Sequence, residues 1–530
     1  MRRWNGWGDQ NTSYPFPSSA AVYLADLIGK GEVIPDAALD SILTKVPPSR
    51  LPVNPLVNQD AQERLLHARG QSLPDWVALR HGNIGCFPDG IAYPADEEQV
   101  RELLTYANRI GASLIPYGGG TSVVGHINPL DGEAPTLTVD LSHQAQLLEL
   151  DETSHLATFG AGVAGPQLEA QLNQRGFTLG HYPQSFELST LGGWIATRSS
   201  GQQSYHYGRI EDLFAGGHIE TPRGPMELPL LPASAAGPDL RQIILGSEGR
   251  LGVITRASVR IRPKPQVEAF YGVFFHDWES GAAAVRQIVQ AGTPISMARL
   301  SNPRETDTTL KLSGKDNLVA WAERGLNLLA YDQERCLLIY GVTGDAAGVR
   351  LARRQANTIA RSHGGLFTGK TIGHIWRKSR FLTPYLRNVL WEAGYAVDTL
   401  ETAVPWSRVV ETERRIQQAM HAALSPTGER ALIFAHLSHV YTDGASIYIT
   451  YIFRRSPDPD QSLERWRVMK TAASREILAQ GGTISHQHGV GLDHAPYLEA
   501  EKGALGMDVL RDISHSLDPN GLMNPGKLIV

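Results

Sequence analysis

Two cysteines, Cys86 and Cys336, are all that the 530 residues carry. That is too few for a disulfide framework or a thiolate zinc site, and it fits a reducing compartment. No run approaches the roughly 18 consecutive apolar residues that a membrane span needs. Met1-Arg2-Arg3 leads into Trp4-Asn5-Gly6-Trp7-Gly8 and not into an apolar h-region, so a signal peptide is not expected. The last residues, Lys527-Leu528-Ile529-Val530, are not a peroxisomal address of the Ser-Lys-Leu type. A cytoplasmic protein, at most resting on a membrane surface, is the expectation. Nor is there an excess of positive charge: 49 basic against 54 acidic residues, net −5, argues against nucleic acid as a partner. Internal repeats and low-complexity tracts are absent too. What remains, 42% apolar and 19% charged, is globular and long enough for two or three domains with sizeable cores.

The chain is organised around Pro116-Tyr117-Gly118-Gly119-Gly120-Thr121-Ser122, which follows a short strand pattern at residues 112–115. Three consecutive glycines remove every Cβ and free φ, so that backbone N–H groups can converge on an anion. Thr121 and Ser122 are expected to add hydroxyl donors, and a diphosphate is the natural guest. A lone glycine triplet is more often a plain tight turn. The dinucleotide fingerprint is not met either: Gly118 and Gly120 are spaced correctly, but the third glycine position is Val123. The triplet gains meaning from a second turn, Gly246-Ser247-Glu248-Gly249-Arg250-Leu251-Gly252-Val253-Ile254.

Residues 1–85 read as an N-terminal helical arm, with helical patterns at 20–27 and 62–67. From residue 86 the pattern is β-α-β: a strand at 90–94, an amphipathic helix at 96–110 with Val100, Leu103, Leu104 and Ala107 on one face, then the strand before the glycines. Strands are expected at 137–141 and 157–160, and a helix at 166–175 with Pro166 in its first turn. A tract of small and hydroxylic residues follows, from Gly180 through Gln184, Ser185, Ser189 and Thr190 to Gly193. It continues as Ala196-Thr197-Arg198-Ser199-Ser200-Gly201. Such a tract brings backbone close to a flat ligand, although taken alone it could be an ordinary polar loop.

Composition shifts at Pro263-Lys264-Pro265, and a domain boundary is placed there. Residues 265–470 alternate strands (271–275, 336–342) with helices (281–290, 346–363), as in an α+β domain lying over the first. Residues 471–530 form a segment expected to return to the first domain. Gly364-Gly365-Leu366-Phe367-Thr368-Gly369-Lys370-Thr371 satisfies the Walker A pattern letter for letter. A P-loop must leave a buried strand and open a helix. Here a basic amphipathic helix, residues 349–362, precedes it, so the match is read as chance.

Together the two glycine turns, the 185–190 tract and Thr197-Arg198-Ser199-Ser200 resemble the FAD-binding domain of vanillyl-alcohol-oxidase-type (PCMH-type) flavoproteins. Within that superfamily the chain is similar to the alkyldihydroxyacetonephosphate (alkylglycerone-phosphate) synthases over nearly its whole length. Further landmarks are Trp4-Asn5-Gly6-Trp7-Gly8, Gly192-Gly193-Trp194, Tyr207-Gly208-Arg209-Ile210-Glu211-Asp212-Leu213 and Thr221-Pro222-Arg223-Gly224. Glu401-Thr402-Ala403-Val404-Pro405-Trp406-Ser407-Arg408 and Ser485-His486-Gln487-His488-Gly489-Val490-Gly491 complete the set. The resemblance implies an α+β fold, an FAD-binding domain of two subdomains at 86–264, a cap over the flavin at 265–470, and 471–530 closing the site. The implied FAD contacts are Pro116, Tyr117, Gly118, Gly119, Gly120, Thr121, Ser122, Gln184, Ser185, Ser189, Thr190, Thr197, Arg198, Ser200, Glu248, Gly249, Gly252, Val253 and Ile254. No histidine stands among them to tether the flavin, so FAD is expected to be non-covalent.

The family's reaction has no net redox. The acyl group of acyl-dihydroxyacetone phosphate is exchanged for a long-chain fatty alcohol, with the dihydroxyacetone phosphate carbon held on flavin N5 between the two half-reactions. This ether-lipid chemistry requires a phosphate clamp, a proton acceptor near the substrate carbon and a greasy tunnel. The family's substrate-binding arginine matches Arg387, and a second functional arginine matches Arg299. Its catalytic tyrosine matches Tyr448, whose phenol, with an ordinary pKa of about 10, needs neighbours to work near neutrality. Its histidine triplet is here His486-Gln487-His488, so the middle histidine is missing; in an extended segment residues 486 and 488 still share a face. The resemblance also allows for a homodimer and for contact with a membrane surface, to which residues 317–329 could contribute an amphipathic stretch.

FAD-linked D-2-hydroxyacid dehydrogenases share the fold, and Asn524-Pro525-Gly526-Lys527 looks more like their ending. They often hold a divalent metal on histidines and a glutamate, and two of those positions coincide with Tyr448 and Gln487 here. A phenol and an amide are poor replacements. His436 and His439 remain, but two ligands are too few, and no metal site is expected.

Overall fold

The amphipathic helix that feeds the glycine loop shows how local chemistry sets the first layer. In a computed structural model that describes residues 2–529 apart from 313–325, 327, 328 and 330, this helix is Glu97–Ile110. The Asp96 carboxylate accepts from Gln99 N at 2.9 Å and caps it, a contact that contributes about 1 kcal/mol. Gly111, at φ 67°, ends it. Val100, Leu103, Leu104 and Ala107 are buried beneath it. The chain then enters the strand Ser113–Tyr117, which pairs in parallel with Thr136–Asp140. Gly90–Ala92 and Val57–Asn58 complete a four-stranded sheet.

A second sheet, five-stranded and antiparallel, runs in the order Leu147–Asp151, Leu156–Gly160, Val253–Arg260, Phe214–Thr221, Gly224–Leu228. One apolar core joins the two sheets: Leu114 and Val139 from the first share it with Phe159, Val259 and Trp194. The glycine loop emerges at the end of the first sheet, facing the tract that opens the helix Leu191–Thr197.

Between Arg260 and Val267 the chain passes into a seven-stranded antiparallel sheet. Its order is Leu366–Phe367, Val267–Phe275, Cys336–Gly344, Met297–Ser301, Ala431–Val440, Gly444–Arg454, Tyr395–Pro405. The two-residue period of a strand sorts its faces. On Gly444–Arg454, Ile447, Ile449, Tyr451 and Phe453 join the large core, which also takes residues from the helices Trp278–Gln290, Val409–Leu424 and Pro459–Ala479. Tyr448 points to the other face. Register then aligns Glu401 with Tyr448, and Tyr448 with His436, in one row across three strands.

After the helix Ala495–Leu517, Leu114 N donates to Leu522 O (2.9 Å) and Asn524 N to Leu114 O (2.8 Å), so residues 522–524 lie along the strand that carries the glycine loop. The Walker-like residues 364–371 follow the helix Ala346–Ser362 and end where the helix Thr371–Ser379 begins, but the two-residue strand Leu366–Phe367 lies inside the motif instead of preceding it. Among the described residues no helix is long and apolar enough to cross a membrane. Most of the amphipathic stretch at 317–329 lies outside the described residues.

Candidate active site

Two surfaces face each other across the junction of the sheets. The first is built by the glycine loop. A Cβ on Gly119 would sit 1.8 Å from Leu188 O, and one on Gly118 would sit 2.3 Å from Thr190 Oγ1. Only bare backbone can lie this close to the 188–190 tract. Gly120 turns at φ 65°. Among the described residues nothing accepts from the backbone N–H groups of Gly118, Gly119, Gly120, Thr121 or Ser122. Five successive donors without an acceptor are costly unless an anion meets them, so the loop fits the diphosphate of FAD. The Thr190 hydroxyl caps the helix Leu191–Thr197, accepting from Gly193 N at 3.3 Å. The second glycine turn docks on that helix through Gly246 N to Ile195 O (3.0 Å) and Glu248 N to Ala196 O (2.9 Å). Gly119→Ala is expected to cost at least tenfold in FAD affinity, because the neighbour that must yield is backbone. Titration of the apoprotein by flavin fluorescence checks it; unchanged affinity would separate the loop from the cofactor.

Not every loop group is free. The Ser122 hydroxyl, expected to face the diphosphate, accepts from His126 N (3.0 Å) and meets His126 Nδ1 at 2.8 Å. Its contribution reduces to its backbone N–H. Glu248 also works elsewhere: its buried carboxylate accepts from Val490 N (2.5 Å) and Gly491 N (2.8 Å), and its carbonyl accepts from Asn524 Nδ2 (2.7 Å). It fastens the C-terminal segment to the cofactor domain. Thr197 is turned to Gly193 O (2.9 Å), Ser200 to Ser204 Oγ (3.1 Å), and Arg198 closes the helix at φ 52°. A Cβ on Gly249 would sit 3.0 Å from Pro116 Cδ, Gly252 adopts φ 152°, and Val253 and Ile254 begin a sheet strand. Ser185 O and Ser189 Oγ are taken up locally, by Leu188 N and Trp194 Nε1.

The second surface is the polar row of the seven-stranded sheet. Tyr448 lies on His436 (ring centroids 5.0 Å) and meets the edge of His488 (5.6 Å). Its hydroxyl is 3.1 Å from Thr399 Oγ1 and 3.4 Å from Gln184 Oε1, the latter reaching across from the cofactor domain. Burial pushes the Tyr448 phenol above its ordinary pKa. Beside it Glu401, 1% exposed, accepts from Gln487 N (2.6 Å) and His488 N (2.9 Å). His488 Nδ1 stands 3.6 Å and His486 Nδ1 3.8 Å from its two oxygens. Burial opposes ionisation of Glu401, but His488 and His486 outweigh it and hold the carboxyl well below the usual range. Burial lowers both histidines, Glu401 offsetting part of the effect.

Arg299 enters this row through His436. Its guanidinium pairs with Glu305 and lies 3.3 Å from His436 Nδ1, which is itself 3.0 Å from Glu305. Arg387 stacks over Trp76 (4.6 Å), donates to Gln71 O, and comes within 3.9 Å of Asp398. Among the described residues its Nε and second Nη, the latter being the atom that faces Asp398, have no hydrogen-bond partner, so one edge of the fork is free of hydrogen bonds. The structure thus gathers Tyr448, His486, His488 and Arg299 around Glu401 and His436, with Arg387 beside Asp398. Glu401, Arg209 and Tyr441 are the members to which sequence reasoning gives no role, and His436 is weighed there only as a metal ligand. Among the described residues one further group could hold a cation by spacing: Glu97, His218 and Glu220, on the cofactor domain. Its carboxylates are already paired with Arg101 and Arg256, and His218 Nδ1 lies 2.7 Å from Glu227.

Two family descriptions match the chain: an FAD binding domain over residues 88–227 and an FAD linked oxidases, C-terminal domain, over residues 264–528. An alkyldihydroxyacetonephosphate synthase from Dictyostelium discoideum is 31% identical over 570 residues, covering 99% of this chain and 93% of that protein. A solved structure of alkyldihydroxyacetonephosphate synthase superposes with a TM-score of 0.84 at 28% identity, covering 99% and 98% of the two chains. The 4-ethylphenol oxidase of Gulosibacter chungangensis shares the fold, with a TM-score of 0.62 at 13% identity over 83% of this chain and 89% of that one.

Proposed function

Since the chain belongs to the alkyldihydroxyacetonephosphate synthase family of FAD-dependent enzymes, we propose that it exchanges the acyl group of acyl-dihydroxyacetone phosphate for a long-chain fatty alcohol. The bond from the substrate carbon to the carboxylate oxygen breaks, a bond to the alcohol oxygen forms, and the alcohol's proton leaves with the fatty acid. No electron acceptor is consumed. The observation that carries this reading is the row Glu401–Tyr448–His436 set opposite Gln184 of the cofactor domain. FAD, when bound, would supply the isoalloxazine at which the acyloxy group gives way to alkoxy.

The chain's own residues divide the remaining work. Tyr448 begins as a phenol, because burial holds its pKa up. It can take the alcohol's proton only as its own moves on, and His488, edge-on beside it and neutral at rest, is placed to receive that proton. Glu401 then stabilises the imidazolium that forms. The free edge of Arg387 grips the substrate phosphate, and Arg299 holds His436 flat under the Tyr448 ring.

Arg387→Met is expected to raise KM for the phosphate substrate by roughly 100-fold, the equivalent of the loss of a charge-assisted contact worth about 3 kcal/mol. FAD content should be unchanged. Equal loss with a substrate lacking the phosphate would contradict the clamp. The exchange itself is tested by incubating holoenzyme with acyl-dihydroxyacetone phosphate and hexadecanol under anaerobic conditions and following products by mass spectrometry. Equimolar ether product and fatty acid support it. A D-2-hydroxy acid oxidised only with an added acceptor, and no ether, would favour the dehydrogenase alternative.

A further inference from the structure

The two matched histidines are not equivalent. His486 Nε2 lies 2.7 Å from Arg209 Nη1 and 2.6 Å from the Tyr441 hydroxyl, and Arg209 Nη1 also reaches that hydroxyl at 3.0 Å. The guanidinium is anchored by three further contacts: to His486 O (3.0 Å), to Arg198 O (3.1 Å) and to Glu211 (3.0 Å). An arginine in a protein only donates. A proton on Nε2 would therefore meet a guanidinium N–H head on, so Nε2 is a lone pair and the ring proton sits on Nδ1. That nitrogen is turned to Glu401 Oε2 at 3.8 Å, too far for a hydrogen bond, and among the described residues neither atom has another hydrogen-bond partner. A second proton on the ring would add a cation against Arg209.

The other imidazoles of the site are also committed. His436 Nδ1 faces Glu305 at 3.0 Å, and His439, whose ring centroid is 5.0 Å from that of His486, has Nε2 against Gly201 O at 3.1 Å and Nδ1 against Ser438 Oγ at 2.9 Å. His488 differs. Its ring has no protein hydrogen bond among the described residues, it is 17% exposed, and it meets Tyr448 edge-on and Glu401 at 3.6 Å.

We propose that Arg209, with Tyr441, locks His486, a positioning residue, as a permanently neutral Nδ1–H tautomer whose N–H is turned toward Glu401, and leaves His488 as the imidazole that exchanges a proton with Tyr448. The first half stands on geometry alone; the second rests on the exchange reaction proposed above. The groups that face His486 are Arg209 and Tyr441 at Nε2, Glu401 at Nδ1, and His439 and His488 beside the ring. Of these only Glu401 favours protonation, and Arg209 opposes it from the nearer side.

The test is two-bond proton–nitrogen correlation NMR on holoenzyme labelled with 15N-histidine, with His486→Asn assigning the signal by difference. His486 is expected to show the Nδ1–H pattern unchanged between about pH 5 and 8, where an ordinary histidine titrates. An Nε2–H pattern, or protonation inside that window, would overturn the lock. In Arg209→Met the signal should begin to titrate. Tyr441→Phe, which keeps the guanidinium, should retain the Nδ1–H pattern whether or not the first variant folds, and its loss would contradict the role given to Arg209. Asparagine preserves a donor near Nδ1 and cannot titrate. His486→Asn should therefore keep turnover within about tenfold, while His488→Asn loses about 100-fold or more. Equal or reversed losses would overturn the division between them. Absence of exchange in the wild type would count against the reaction and leave the NMR result standing by itself.

Discussion

Tyr448→Phe is expected to lower turnover by about 1000-fold while FAD stays bound. The substitution removes one oxygen and little else. The ring keeps its face on His436 at 5.0 Å and its edge toward His488 at 5.6 Å. Only the hydroxyl's bonds to Thr399 Oγ1 and Gln184 Oε1, at 3.1 and 3.4 Å, disappear with the oxygen. Such bonds contribute about 1 kcal/mol each to stability, so the variant should fold and retain the flavin. Loss of turnover in a correctly folded, yellow protein would therefore report on the proton and not on the scaffold. The check is steady-state turnover beside flavin content per chain. Wild-type rates in Tyr448→Phe would remove the phenol from the chemistry.

Glu401→Ala should also be damaging, through a different cause. The carboxylate is 1% exposed and answers two backbone donors, Gln487 N and His488 N. Removing it leaves both unpaired and takes the anion from beside His486 and His488, at a cost of about 3 kcal/mol and a fall in turnover of about 100-fold. Glu401→Gln separates shape from charge. Because the folded carboxyl is held below its unfolded value, its ionic contribution is complete above an unfolded pKa of about 4.3 and fades as pH falls through the lower folded value. The gap in melting temperature between wild type and Glu401→Gln is thus expected to be widest near neutrality and to narrow below about pH 4. A gap that does not change with pH would mean that the carboxyl is not ionised in the fold.

How much of this was legible in the chain depends on how local each signal is. The helix over residues 97–110, with its acidic cap and glycine stop, and the donor-rich glycine loop are written within a few residues, and both are found where the pattern puts them. The resemblance also brings Tyr448, His486, His488, Arg299 and Arg387 forward by their motifs. Glu401 sat in a quoted motif without a role, because its role comes from the register of Tyr395–Pro405 against Gly444–Arg454. Arg209 meets His486 across 277 positions, and Arg387 meets Gln71 across 316. No periodicity reports such contacts. Ser122 misled for the opposite reason: its hydroxyl chemistry suited a phosphate, but His126, four residues on, occupies it.

The anaerobic absorbance spectrum of the purified holoenzyme tests the exchange reaction most directly. Acyl-dihydroxyacetone phosphate should bleach the yellow flavin band, and a fatty alcohol should restore it with no electron acceptor present. A band untouched by that substrate, bleached by a D-2-hydroxy acid and restored only by an acceptor, would contradict the exchange and make the protein a dehydrogenase.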